Sequence, residues 1–355
     1  MPRHRFGFAN VVRLLLVVAA AWALPLALPA QARADSGPDT VIVGAYVKDI
    51  QDIDLQSESF TLDFYLWFRW KNPAINPAST VETMTSNGFQ NTTTSSTGGV
   101  VGKPLYDAPV DLPDGYKYQV LRFQGVFSRK LLLQEYPFDT QTLRVALKDE
   151  RSDVRKLNYV IDKKPISMNK SLLISIPGFS LGDPTLFIMD HAYETDFGDT
   201  SAPADIPYSC IVIEIRATRN MLPYLVKIVL PIFIVILITS LIYVLPARLE
   251  EARAGIGVTA MLTMVALQWT ADSSLPSVEY LTMLDLLYIL SMLYILAAMA
   301  YTVVASRRNR HEVAQALTAA TDRRAGVIAL LAYGALVALT TYMYLHGDHS
   351  VHHFL

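Results

Sequence analysis

Hydrophobic and polar positions change rhythm once along this chain, near Met221. Before that point apolar residues come in short runs separated by Gly, Pro and Asp turns. The run Ser59–Trp70, SFTLDFYLWFRW, is rich in aromatic and β-branched residues and stops at Lys71-Asn72-Pro73. Tyr118–Phe127, Thr142–Leu147, Lys156–Ile161 and Ser209–Ile215 read the same way. No amphipathic helical stretch of useful length competes with them. Short strands at this spacing predict an all-β sandwich between Thr40 and Ile215. Ser86–Gly102 is polar and low in complexity, and it reads as a surface loop; its sequon Asn91-Thr92-Thr93 carries no weight.

Beyond Met221 four apolar segments follow, at about 222–245, 252–271, 279–305 and 326–345, each long enough to cross a bilayer. Arg248 and Arg253 flank the first turn, and Arg307, Arg308, Arg310, Arg323 and Arg324 cluster around the linker 306–325. The positive-inside rule places both basic regions in the cytoplasm. The loop Asp272–Val278 carries no basic residue and faces out. Pro231 falls inside the first segment, where a membrane helix tolerates it if neighbours satisfy the freed carbonyl.

The start of the chain agrees with that topology. Arg3, His4, Arg5 and Arg13 are basic, Leu14–Leu28 is apolar, and Ala32-Arg33-Ala34 offers small residues for cleavage. Residues 1–34 are therefore expected to be an export signal, 35–220 an extracellular or periplasmic sensing domain, and 221–346 a four-helix membrane domain. The N-terminal domain and the C-terminus then both lie outside the plasma (inner) membrane.

The second segment is unlike a lipid-facing helix. Glycine, alanine and threonine dilute its leucines, and Glu250-Glu251-Ala252-Arg253 opens it. At helical spacing one face carries Glu251, Gly255, Thr259, Leu262, Ala266 and Trp269. That face is charged, then small and hydroxylated, then apolar, then aromatic. A helix lining a water-filled hole uses all of these; one facing lipid has no use for Glu251 or Thr259. Glu250 points elsewhere and is expected to pair with Arg248 or Arg253.

Composition narrows the classes. In 355 residues, 52% hydrophobic and 17% charged residues with a mean hydropathy of +0.30 imply a polar part joined to an apolar one. A net charge of -2 gives no reason to expect nucleic acid. The lone Cys210 excludes an internal disulfide and a cysteine-based zinc site. No nucleophile–base pair, phosphate loop or metal-ligand spacing marks an enzyme, and no cofactor is expected. His346, His349, His352 and His353 sit on a terminal tail and are not assigned a metal.

Specific residues add a family resemblance. Tyr136-Pro137-Phe138-Asp139-Thr140-Gln141 resembles the aromatic-Pro-Phe-Asp-x-Gln core of the signature loop of Cys-loop receptors, without the bracketing cysteines, as in the prokaryotic branch. Ile53-Asp54 and Trp70-Lys71-Asn72-Pro73 resemble the first two strands, and Arg219 the arginine ahead of the first span. Leu275-Pro276 resembles the loop between the second and third spans, and Met261-Leu262-Thr263 with Val265-Ala266 the middle of the pore helix. The chain is thus similar to a prokaryotic pentameric ligand-gated ion channel.

The resemblance implies a homopentamer in membrane lipid, with the second spans around the pore and agonist sites between sandwiches. It places Asp54, Pro137, Asp139, Arg219 and Pro276 on the gating path. Asp139 and Arg219 are expected to form a buried or half-buried ion pair, with Asp54 nearby, and Asp285 to lie about two turns into the third span. Glu251 becomes a carboxylate ring favouring monovalent cations, Leu262 the apolar gate and Trp269 an outer constriction. The segment Tyr193–Tyr208, with Phe197, fits the hairpin capping the agonist site, and Lys148-Asp149-Glu150-Arg151-Ser152 stands where a second binding loop belongs. Tyr193, Phe197, Tyr208, Glu150 and Arg151 are therefore the expected agonist contacts, for a small molecule or for protons. The usual Trp-x-Pro of the first agonist-site loop is missing. The alternative is a membrane-anchored sensory binding protein that does not conduct.

Overall fold

The computed structural model describes residues 37–84, 102–171, 176–195, 206–273, 275–308 and 315–346. The expected export signal 1–34, nearly all of the loop 86–102, and Phe197 lie outside them.

Strands occupy the first half: β1 (Asp39–Asp54), β2 (Ser59–Trp70), β3 (Val81–Thr83), β4 (Lys103–Pro104), β5 (Val110–Asp111), β6 (Lys117–Ser128), β7 (Thr140–Asp149), β8 (Leu157–Met168), β9 (Phe179–Leu181), β10 (Thr185–Ala192) and β11 (Pro207–Arg219). One short helix, α1 (Pro77–Thr80), interrupts them. One sheet runs β4-β6-β2-β1-β8 with β5 also on β6; the other runs β10-β11-β7-β3 with β9 also on β11. Pairing is antiparallel except between β1 and β8.

Alternation along β2 explains the sandwich. Phe60, Leu62, Phe64, Leu66, Phe68 and Trp70 are buried and face the second sheet, where Leu143, Val145, Leu147, Ile211, Ile213 and Ile215 meet them. Each such side chain contributes about 1.5–3 kcal/mol on leaving water. Phe64 stacks on Phe123 across β2–β6 with centroids 5.1 Å apart. β8 extends past the expected Ile161 through Lys163-Lys164-Pro165, because it is paired only on the β1 side and needs no buried outer face. β1, β9 and β10 extend or add to the strands readable from alternation alone.

The second half is helical: α2 (Met221–Tyr243), α3 (Glu250–Asp272), α4 (Met283–Arg308) and α5 (Gln315–His346). Each holds a stretch long and apolar enough to span a membrane. In α2 the turn Leu225–Val229 is π-helical, and the Leu230 N–H bonds back to the Leu225 carbonyl. This widened turn lies immediately before Pro231, whose ring and missing N–H disrupt the regular ladder.

Two boundaries differ from the sequence reading. α4 starts at Met283 rather than Glu279, because Thr282 and Asp285 form a reciprocal cap: the Thr282 N–H and hydroxyl both donate to Asp285 Oδ2 at 2.8 Å, and the Asp285 N–H donates to Thr282 Oγ1 at 3.2 Å. Asp285 is thus in the first turn, not two turns deep. α5 begins at Gln315, so much of the expected linker 306–325 is helix. Asp322 in that stretch is buried against α3, a tertiary contact that hydropathy does not register.

Candidate functional site

α3 packs on its own bundle through Arg253, Gly257, Ala260, Met264 and Ala271, all buried. A Cβ on Gly257 would overlap the Met299 side chain, so glycine permits the close approach of α3 to α4. The six residues expected on one face all lie on the side away from that packing. Glu251, Gly255, Thr259, Leu262, Ala266 and Trp269 are exposed, Leu262 by 67% and Trp269 by 78%. Gly255 and Thr259 also line a groove of about 320 Å³ between α2 and α3, with Val235 and Ile238. The hydroxyl of Thr263 is spent on the Thr259 carbonyl at 2.8 Å.

At the inner end Arg253 departs from expectation. It turns away from Glu250 and donates through Nη2 to Asp322 Oδ2 on α5 at 2.6 Å and to the Leu245 carbonyl just past α2. The Tyr301 hydroxyl donates to the other Asp322 oxygen at 2.7 Å. The pair is fully buried at Arg253 and nearly so at Asp322. Sequence reasoning missed Asp322 because it lies far along the chain in a segment read as linker.

Where sandwich meets bundle, β11 delivers Arg219 onto Asp139. Arg219 Nε and Nη2 reach the two carboxylate oxygens at 2.6 and 2.9 Å, and neither side chain is more than 2% exposed. The guanidinium lies over three rings, Phe179 at 4.6 Å, Tyr136 at 4.9 Å and Tyr224 at 5.1 Å, each within cation–π range. Nη1 donates to the Tyr224 hydroxyl at 3.0 Å, and the Gln141 amide donates to Asp139 and to the Leu132 carbonyl. Burial works against the Arg219 charge, but the Asp139 carboxylate and Tyr224 hold its pKa above the ordinary value.

The loop before Asp139 seats on the bundle. Leu133 and Tyr136 are buried with Ile232 and Tyr288, the Met283 N–H donates to the Gln134 carbonyl at 2.9 Å, and the Leu133 N–H donates to the Tyr280 hydroxyl at 3.0 Å. The Tyr136–Pro137 peptide is cis. Pro276 is half-buried in the loop between α3 and α4. Asp54 does not join the Asp139–Arg219 pair. It is exposed and accepts from the Gln56 and Ser57 N–H groups and the Ser57 hydroxyl, which hold its carboxyl below the ordinary range. Its neighbours in that turn reach the bundle instead: Leu55 packs against the cluster that holds Leu133, Ile232 and Tyr288, and the Gln56 amide donates to the Ser273 carbonyl just past α3 at 2.8 Å.

At the far side of the second sheet, Tyr193 and Tyr208 meet edge to face at 5.8 Å. His191 packs edge-on against Tyr193 at 4.7 Å, and Lys148 brings its ammonium 5.6 Å from the Tyr193 ring and 4.8 Å from the Tyr208 ring, ion-paired to Glu82. Burial disfavours its charge, but Glu82 raises its pKa above the usual value, so it stays an ammonium. Glu150 and Arg151 lie exposed beyond the end of β7. Lys148 was legible as the start of its loop but not as the cation of this tyrosine pair, which depends on the β7–β11 register of Lys148 opposite Cys210.

No protein-family model matches the chain. It is 23% identical over 264 residues to the glutamate-gated chloride channel subunit beta of Haemonchus contortus, covering 70% of this chain and 59% of that protein. It is 23% identical over 273 residues to the proton-gated ion channel of Gloeobacter violaceus, covering 74% and 71%. Its homologues are pentameric ligand-gated ion channels. A third channel relative, the pH-sensitive chloride channel 2 of Drosophila melanogaster, matches at 23% over 181 residues, half of this chain and 33% of its own length. The β-sandwich followed by four membrane-capable helices is consistent with that channel fold and supports a multi-pass membrane protein.

Proposed function

We propose that the chain assembles as a homopentameric, cation-selective channel, gated by a small molecule or by protons and lined by α3. The observation that carries this reading is the division of α3 into a packed face and an exposed face. The exposed face runs from the carboxylate of Glu251 through Thr259 and Leu262 to Trp269. Around a five-fold axis such a face supplies a charged mouth, a hydroxylated neck and an apolar constriction that closes by dewetting. A bundle that only anchors a binding domain has no use for a charged, exposed stripe on its second helix.

Two of the three relatives above are named chloride channels and the third a proton-gated ion channel, so the sign of the permeant ion is argued from the chain itself. Glu250 and Glu251 are both exposed at the start of α3, while Arg253 is buried and paired. Carboxylates at the mouth concentrate cations and repel anions. Residues 1–34 then direct export, the sandwich lies outside, and the basic residues around Arg307 and Arg323 stay inside. The test is the reversal potential of the purified protein in bilayers under a salt gradient. Glu251→Lys should move it toward the anion equilibrium value, and an unchanged cation preference removes the assignment.

A further inference from the structure

We propose that Asp322, on the last helix of the bundle, sets the charge selectivity of the pore by neutralising Arg253. The inference rests on the cation-channel reading above and adds a residue to it. Arginine keeps its proton at any working pH, so its charge must be compensated rather than removed. Arg253 follows Glu251 by two residues on α3, on the opposite, buried side of the helix. Its guanidinium therefore lies about one helix width, roughly 10 Å, behind the proposed carboxylate ring.

The compensation is narrow. Of the three guanidinium nitrogens only Nη2 is bonded, to the Leu245 carbonyl and Asp322; Nε and Nη1 are buried with no hydrogen-bond partner among the described residues. Among the described residues Asp322 is the single carboxylate in ion-pair contact, and Tyr301 holds its other oxygen. Arg248, Arg307, Arg323 and Arg324 are exposed, where water and salt screen them. A buried charge is screened far less. Without Asp322 each subunit would place an unopposed positive charge behind Glu251, directed against the cations that Glu251 attracts. Asp322 is thus a positioning residue for the local field and touches no permeant ion.

The experiment measures the cation-to-anion permeability ratio from reversal potentials of the full-length channel in a salt gradient. Asp322→Asn, isosteric and neutral, should lower the ratio about three- to tenfold. The double variant Arg253→Gln/Asp322→Asn, which removes both charges, should return it to near the unsubstituted value. Stranding a buried arginine also disturbs packing, so the melting temperature of the assembled channel is read beside the ratio: a purely structural role lowers the melting temperature and leaves the ratio of the channels that still open unchanged. An unchanged ratio in Asp322→Asn, or a double variant shifted as far as the single one, overturns the proposal. If Asp322→Asn does not assemble alone, mixed pentamers with unsubstituted chains should show a graded shift, and their absence of shift counts equally against it. Glu251→Gln measured alongside separates the two readings. If it leaves the ratio alone, the ring assignment fails; if it moves the ratio while Asp322→Asn does not, only the compensation fails.

Discussion

Asp139→Asn is the sharpest single perturbation of the junction between sandwich and bundle. It keeps the shape of the side chain and removes the charge facing Arg219, whose guanidinium is wholly buried. Two charge-assisted hydrogen bonds, at 2.6 and 2.9 Å, become weaker, and the arginine is left with three rings and the Tyr224 hydroxyl. Stranding one member of a buried pair costs about 3–5 kcal/mol. Cation–π contacts return about 0.5–2 kcal/mol each and are present before and after, so they do not offset the loss. Arg219→Met should cost a similar amount by leaving the carboxylate with Gln141 alone, although methionine suits the ring-lined pocket. The double variant should be less destabilised than the sum of the singles by at least about 2 kcal/mol, since no buried charge remains. The assay is the fraction of solubilised pentamer surviving heating, read by size-exclusion chromatography, for all four proteins. Exchanging the charges, Asp139→Arg with Arg219→Asp, should recover only part of the loss, because a carboxylate at 219 would face three rings. Strict additivity of the two neutral variants would refute a direct energetic pair. A double variant that assembles but does not open would show that the pair transmits motion as well as holding the junction.

The remaining expectations are independent of that pair. If Leu262 forms the proposed apolar constriction, Leu262→Ser places hydroxyls there and should let the channel open at lower stimulus or leak, with ion preference kept and Leu262→Ile changing far less; an unaltered stimulus requirement in macroscopic currents moves the gate elsewhere, with Trp269 the next residue to test. Lys148→Met removes the ammonium between Tyr193 and Tyr208 and should lower the melting temperature of the solubilised protein, with loss of about 1–2 kcal/mol from cation–π and hydrogen-bond contacts; an unchanged melt shows that the pairing adds nothing to stability. Asp63 is penalised by burial, but Arg122 and Lys48 hold its carboxyl below the ordinary 3.8. Its stabilisation is therefore complete above that value and lost as pH falls through the lower folded one. Thermal melts of Asp63→Asn should show a deficit at pH 7 that shrinks toward pH 3, and a constant deficit would remove the linkage.

The sequence made the two-part architecture legible because alternation and helical periodicity are local signals. Ser59–Trp70 marks β2 from end to end, since its even positions fill the core and Lys71-Asn72-Pro73 ends the pairing. The α3 stripe was readable for the same reason: a helix of known pitch fixes which residues share a side. Long-range partners were not readable. Arg253 has Glu250 close in sequence and Asp322 far away, and only the packing of α5 decides between them. Asp54 was grouped with Arg219, yet its own turn consumes its carboxylate, leaving Leu55 and Gln56 to reach the bundle, Gln56 at Ser273 just past α3. Lys148 reads as one polar residue among several until strand register puts it against two tyrosines.

β11 ends at Arg219 and α2 begins at Met221, with Asn220 alone between them. The Asn220 N–H is tied to the Gly178 carbonyl at 2.9 Å, and Arg219 on its other side is clamped to Asp139. A connection this short has almost no slack. The strand and the helix behave as one bent lever, and the residue at the bend is held on both sides. A small tilt of the second sheet therefore becomes displacement at the top of α2 without first taking up play in a linker. Compliance enters further down, at the π-helical turn Leu225–Val229 and Pro231, where the ladder is already loosened. The stiff segment is thus at the domain boundary and the soft one inside the membrane, the reverse of two modules joined by a flexible tether. Inserting two glycines after Asn220 would supply the missing slack and should leave a folded sandwich and an assembled bundle that no longer answer one another.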